Sequence, residues 1–98
     1  MTKNAGKIYL LINTEIGRER YVRDELRKIE HVQCADMITG RYDIVAILEG
    51  ESVGDIFATV ISDIRAIKGI VRTESNVVFG YLSPHHYEWF LILEYGTV

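Results

Sequence analysis

Residues 7–13 alternate as a strand does, yet both phases are apolar: Ile8, Leu10 and Ile12 fall on one face, Tyr9 and Leu11 on the other. A strand apolar on both sides belongs in a sheet covered twice. One cover is the chain's own helices, and the other is expected from a partner subunit. The period then changes. Over residues 18–30, Val22, Leu26 and Ile29 recur at helical spacing, which predicts an amphipathic helix ending near His31. Residues 33–38 and 42–48 return to the strand period and predict a hairpin. In its second arm Ile44, Ala46 and Leu48 share one face, opposite Asp43, Val45, Ile47 and Glu49.

After the break at Gly50 and Glu51, Ser52 has the place of a helix N-cap, with Asp55 three residues on. Val53, Ile56, Phe57, Val60, Ile61 and Ile64 then give the clearest helical stripe in the chain, which Gly69 is expected to stop. A strand is predicted over 70–79, with the hydroxyls of Thr73 and Ser75 on one side of it. Residues 80–84 read as a turn. An aromatic-rich strand is predicted over 87–95, covering a sheet edge or pairing with another chain. The order is β-α-β-β-α-β plus an added C-terminal strand. This is an α+β chain of the ferredoxin-like type: one antiparallel sheet with two helices on one face. Its other face calls for a second copy, in a dimeric α/β-barrel-type assembly.

Ninety-eight residues, 48% of them hydrophobic and a single one proline, suit one globular domain over 1–98, with its core in 7–79 and an extension over 80–98. A net charge of −3 argues against a nucleic-acid surface. The basic residues between Arg18 and Lys28 alternate with acidic ones and read as a solvated helix face. The one cysteine, Cys34, cannot close an internal disulfide and reads as a buried small apolar residue in a reducing cytoplasm. Neither a signal peptide nor a membrane span is expected.

Catalytic chemistry is sparse. No nucleophile has a base beside it, no glycine-rich loop suits a phosphate, and no His/Cys spacing suits a metal, so no catalytic residue, metal or cofactor is expected. His31, at a helix end, is expected to meet the last carbonyls of that helix. His85 and His86 are adjacent, and in extended backbone they point apart. Asp43 and Glu49 share a face but lie about 20 Å apart at the strand rise, too far for an acid–base pair. The hairpin offers more. Gly40 supplies the positive φ of a tight turn. Turn N–H groups beside it suit a ligand carboxylate, Asp43 suits an ammonium, and Thr73 and Ser75 can complete the shell. Equally, Thr73 and Ser75 read as ordinary strand residues, and Asp43 as a turn stabiliser through an Asx-type bond.

Three stretches together carry a resemblance: Leu10-Leu11-Ile12-Asn13-Thr14-Glu15, the hairpin from Ile38 through Gly40, Arg41, Tyr42 and Asp43 to Val45, and the run from Ile64 through Gly69 and Arg72 to Ser75. They resemble the effector-binding domain of the Lrp/AsnC family, over about residues 7–79, and the Gly40-x-Tyr42-Asp43 hairpin is the most specific piece. The resemblance implies a non-enzymatic module linked to regulation of amino-acid metabolism. It implies dimers formed through the sheets, dimers assembling into octamers, and an amino-acid effector bound between dimers near the hairpin. Thr39, Gly40, Arg41, Tyr42, Asp43, Thr73 and Ser75 are the ligand-site candidates it carries over. With no helix-turn-helix ahead of residue 7, the chain resembles the stand-alone form, expected to co-assemble with full-length regulators and not to bind DNA itself. A second functional class is a small dimeric α/β-barrel enzyme, such as a cofactor-free monooxygenase using His85, His86 or Tyr42.

Overall fold

A computed structural model describes residues 6–79, and the predicted turn at 80–84, the strand at 87–95 and the pair His85 and His86 lie outside them. The described elements are β1 (Gly6–Thr14), α1 (Glu19–Leu26), β2 (Val32–Met37), β3 (Ile44–Gly50), α2 (Val53–Thr59), α3 (Ile61–Arg65) and β4 (Ile70–Val77). The strands form one sheet in the order β2-β3-β1-β4, every neighbouring pair antiparallel. This is the split βαβ arrangement that the element order predicts. It puts β1 in the middle, where Ile8, Leu10 and Ile12 meet Leu48, Ala46 and Ile44 of β3 in register.

All six of those side chains are fully buried, and the helices are what bury them. Val22 and Leu26 of α1, Ile56 of α2, Val60, and Ile64 of α3 complete the same core. Among the described residues, no helix lies on the other face of the sheet. Tyr9 is 40% exposed there, and Leu11, Val45, Ile47 and Cys34 are half-buried. Cys34 is thus a member of this open face, opposite Ile47, and not the buried core residue expected. Among the described residues, β4 is left exposed beyond Ile70, because the helices lie over β1, β2 and β3.

Several boundaries differ from the sequence expectation for local reasons. The first helix stops at Leu26, not at residue 30. The chain turns over residues 27–31 and reverses at His31, the one non-glycine residue with positive φ (+78°) among those described. His31 does not turn back to its own helix. Its backbone oxygen accepts from the Glu49 N–H at 2.9 Å, and its ring Nδ1 lies 3.1 Å from the Glu49 oxygen. A carbonyl can only accept, so Nδ1 carries the proton there. The second helix is two segments, α2 and α3, joined at Val60, whose φ of −101° is off helical geometry. Ser52 caps α2 as expected, its Oγ accepting from the Asp55 N–H at 3.1 Å. Gly69 is not the helix stop expected, since α3 ends at Arg65. It has φ +101° before β4 and sits so close to α1 that an added Cβ would lie 3.1 Å from the Arg18 Cβ. Positive φ and close approach both require glycine at that point.

Truncating Leu48 to Ala in this core is expected to cost about 2–5 kcal/mol in urea unfolding. Ser52→Ala is expected to cost about 1 kcal/mol, the scale of a lost N-cap. An equal, small effect of both would show that the helices do not bury the sheet as described.

Candidate functional site

The hairpin is not a tight turn. Six residues, Ile38 to Asp43, separate β2 from β3, and the strand predicted to begin at Tyr42 begins at Ile44. The base of this loop is tied on several sides. Ile38 N–H donates to the Asp43 oxygen at 2.9 Å and closes the loop, while Asp43 N–H donates to the Ile12 oxygen at 2.9 Å. Asp43 Oδ2 accepts from the Thr14 N–H at 2.8 Å and from Thr14 Oγ1 at 3.5 Å. Thr14 lies beyond the last β1–β3 pair, Ile12 with Ile44, and its pairing with β4 is shifted at the same point. The carboxylate supplies the acceptor that a continuing strand would have given. The Asp43 side chain therefore stabilises the loop by a bond to β1, while its backbone oxygen closes the turn with Ile38. Asn13 Nδ2 adds a bond to the Arg41 oxygen at 2.9 Å.

The tip is left open. Thr39, Gly40 and Arg41 are exposed, Gly40 has φ +106°, and a Cβ built on it would meet nothing within 4 Å. The positive φ is what requires glycine here, since space does not. Thr73 and Ser75 are exposed as well. They oppose Ile12 and Leu10 in the ladder, so they stand on the helix side of β4.

Tyr42 goes to the other side. Its hydroxyl donates to Glu74 Oε1 at 2.6 Å and accepts from Arg72 Nη2 at 3.2 Å, and the Arg72 guanidinium lies 5.7 Å from the ring centroid. Asn76 Nδ2 donates to Glu74 Oε2 at 3.3 Å. Arg72, Glu74 and Asn76 oppose Asn13, Leu11 and Tyr9, which are residues of the open face. The Tyr42 hydroxyl holds the Glu74 carboxyl below the ordinary glutamate value of 4.5, helped by Asn76 and by the charges of Arg72 and Arg41 against a small desolvation. Of the seven candidates, the loop residues 39–43 are contiguous, and Tyr42 joins β4. Thr73 and Ser75 lie on the opposite face of that strand. Arg72, Glu74, Asn13 and Thr14 are the partners that residue-by-residue reading did not single out. Among the described residues, no three His, Cys, Asp or Glu side chains gather where they would hold a metal ion, and no helix is long and apolar enough to cross a membrane.

Asp43→Ala leaves the Thr14 amide without its acceptor, and a loss of about 1–3 kcal/mol in chemical unfolding is expected. A change within error would mean that Asp43 does not hold the loop. The depressed Glu74 value fixes a sign for acid: any stability from its ionised form is present above the unfolded pKa and is lost as pH falls through the lower folded one. Carboxyl-carbon NMR is expected to put the Glu74 midpoint below 4.5 and to move it upward in Tyr42→Phe. No movement in that variant would remove the hydroxyl as the cause.

Comparison with known proteins agrees with this fold. The family model described as the Lrp/AsnC ligand binding domain matches residues 7–87. Among solved structures, TTHA0845 from Thermus thermophilus is similar at 24% identity and a TM-score of 0.72, over 78% of this chain and 95% of its own. AsnC of E. coli is similar at 20% identity and a TM-score of 0.72, over 80% of this chain and 53% of its own. The transcriptional regulator NMB0573 from Neisseria meningitidis, solved as a complex with L-Met, is similar at 13% identity and a TM-score of 0.65, over 81% of this chain and 54% of its own. The chain thus spans about half the length of those two regulators, and at such identities the likeness is one of fold. Among curated proteins, none matches. With the family model covering most of the chain and the sheet, helices and loop arranged as described, the chain belongs to the Lrp/AsnC ligand-binding domain family.

Proposed function

We propose that this domain is a non-enzymatic sensor that binds an α-amino acid at the 38–43 loop, between copies of the chain. In this reading two copies close on each other through the open sheet face. Dimers assemble further, to octamers, and bring the loop tip of one subunit to the Thr73 and Ser75 hydroxyls of another. The protein acts in the cytoplasm on amino-acid metabolism by co-assembling with full-length regulators of its family, and does not itself contact DNA.

The observation that carries the reading is how the candidates divide. The loop tip is exposed and open above Gly40, while Thr73 and Ser75 are exposed hydroxyls on the far face of β4. Neither half encloses a small molecule, and joining them across a subunit border makes a crevice with amide donors on one wall and hydroxyls on the other. A free amino acid suits such a crevice, since its carboxylate takes N–H donors and its ammonium takes oxygens. The distant neisserial neighbour solved with L-Met supports an effector of that class. The acidic balance of the chain, −3 overall, agrees with a module that leaves nucleic acid to a partner.

The test is a thermal-shift panel of the protein amino acids, L-methionine included, because a molecule that binds only the folded state raises the midpoint. At least one is expected to raise it, and the combined Thr73→Val and Ser75→Ala substitutions, which keep size and remove the hydroxyls, are expected to cancel most of the rise. A panel without any rise would refute the sensor. A rise untouched by the two substitutions would move the site away from β4.

A further inference from the structure

The strand order sets a geometric problem for any ligand site that uses both the loop and β4. The loop belongs to β2 and β3, and β1 lies between β3 and β4. The ties at the loop base, those to Ile12, Asn13 and Thr14, all end on β1. They fix the loop to the middle of the sheet and leave its position against the edge strand unset. One side chain makes the longer crossing. Tyr42 reaches past β1 and places its hydroxyl between Glu74 and Arg72 on β4, 2.6 Å from the first and 3.2 Å from the second.

We propose that Arg72 and Glu74 are positioning residues for the effector loop, acting through the Tyr42 hydroxyl. By gripping it from the open face, they fix where the loop tip stands relative to β4, the strand that carries Thr73 and Ser75 on its other face. This rests on the amino-acid-sensor reading and adds to it residues that need not touch the effector. Three features make the grip a positioning device and not a chance surface contact. The hydroxyl is used in both directions, donating to a carboxylate and accepting from a guanidinium, so its rotor has a single favourable setting. Glu74 is itself held from its other oxygen by Asn76, at 3.3 Å. And the two charges do not satisfy each other directly: the three ion pairs among the described residues lie elsewhere, at Arg23–Asp24, Arg27–Asp36 and Lys28–Glu25. The Arg72–Tyr42–Glu74 arrangement is completed by a residue of the loop, so moving the loop breaks it.

The consequence is preorganisation. A loop already held in its binding position loses less freedom when an amino acid arrives, so the grip raises affinity without a contact of its own. Each of Arg72, Glu74 and Asn76 is exposed on β4, so replacing them is compatible with the fold.

The experiment is a double-substitution cycle in the full chain, Tyr42→Phe, Glu74→Ala and both together, read in two ways. Amide hydrogen exchange at Ile38 and Asp43, whose N–H groups close the loop and tie it to β1, is expected to quicken about fivefold to tenfold in each single variant, the scale of one lost hydrogen bond, with the amides within β1 and β3 unchanged. The double variant is expected to go no further, because both changes remove the same bond. Loop exchange equal to the parent in Tyr42→Phe, or strictly additive effects, would overturn the proposal. The second readout is affinity for whichever panel amino acid gives the largest midpoint rise. A similar, non-additive loss is expected there, with Arg72→Met also weakening binding. Full parental affinity in Tyr42→Phe would overturn the positioning role while leaving the sensor reading intact. If no amino acid binds the parent, the sensor reading fails and the positioning role falls with it, and the exchange readout alone then decides whether the grip holds the loop.

Discussion

A sheet that, among the described residues, has helices on only one of its faces governs the rest of the structure. The helix side is a closed core in which Ile8, Leu10, Ile12, Ile44, Ala46 and Leu48 are fully buried under α1, α2 and α3. The opposite side carries Tyr9, Leu11, Val45 and Ile47 at partial exposure. Apolar area removed from water contributes roughly 25 cal/mol per Å², so a half-apolar face of this kind favours association with a matching surface. A second copy of the same chain supplies one by symmetry. This is the physical root of the subunit-border site proposed above.

The loop is built for fixed placement with a free tip. Asp43 gives its carboxylate to the Thr14 amide, Asn13 holds the Arg41 carbonyl, and Tyr42 reaches β4. What remains exposed is Thr39, Gly40 and Arg41. Acidic and amide side chains that a site reading would assign to a ligand are here largely occupied in shaping the loop. In the proposed site the tip backbone and the arginine are the parts left for recognition, and the hydroxyls of Thr73 and Ser75 lie on a different face.

Much of this was legible in the residues themselves. Period-two alternation in residues 7–13 and 44–48 grouped Ile8, Leu10 and Ile12, and likewise Ile44, Ala46 and Leu48, as the core has them, but in a strand apolar on both sides it did not say which phase meets the helices. Ser52 marked its boundary because it answers a local backbone need, whereas Gly69 stands four residues past the end of the helix at Arg65 and its positive φ serves the entry into β4. The end of α1 was not legible, because His31 takes a positive φ that few residues favour and is held by Glu49 from a strand far along the chain. The break at Val60 was hidden by an apolar stripe that runs unbroken through it. The loop was longer than the Gly40 signal suggested because Asp43 bonds β1, a choice set by register. For the same reason the Tyr42–Glu74–Arg72 contact escaped notice: it depends on which strand lies next to which, and adjacent residues of β4 part to opposite faces. The ligand candidates came from family resemblance, and the geometry divides them between two faces.

Sedimentation velocity on the purified chain over a wide concentration range tests the central claim most directly. The proposed pairing through the open sheet face predicts a dimer or a larger assembly throughout, with the 11.2 kDa subunit absent at working concentrations. A single species sedimenting as that lone subunit at every concentration would mean that the open face stands in water, and the site between copies would have no basis.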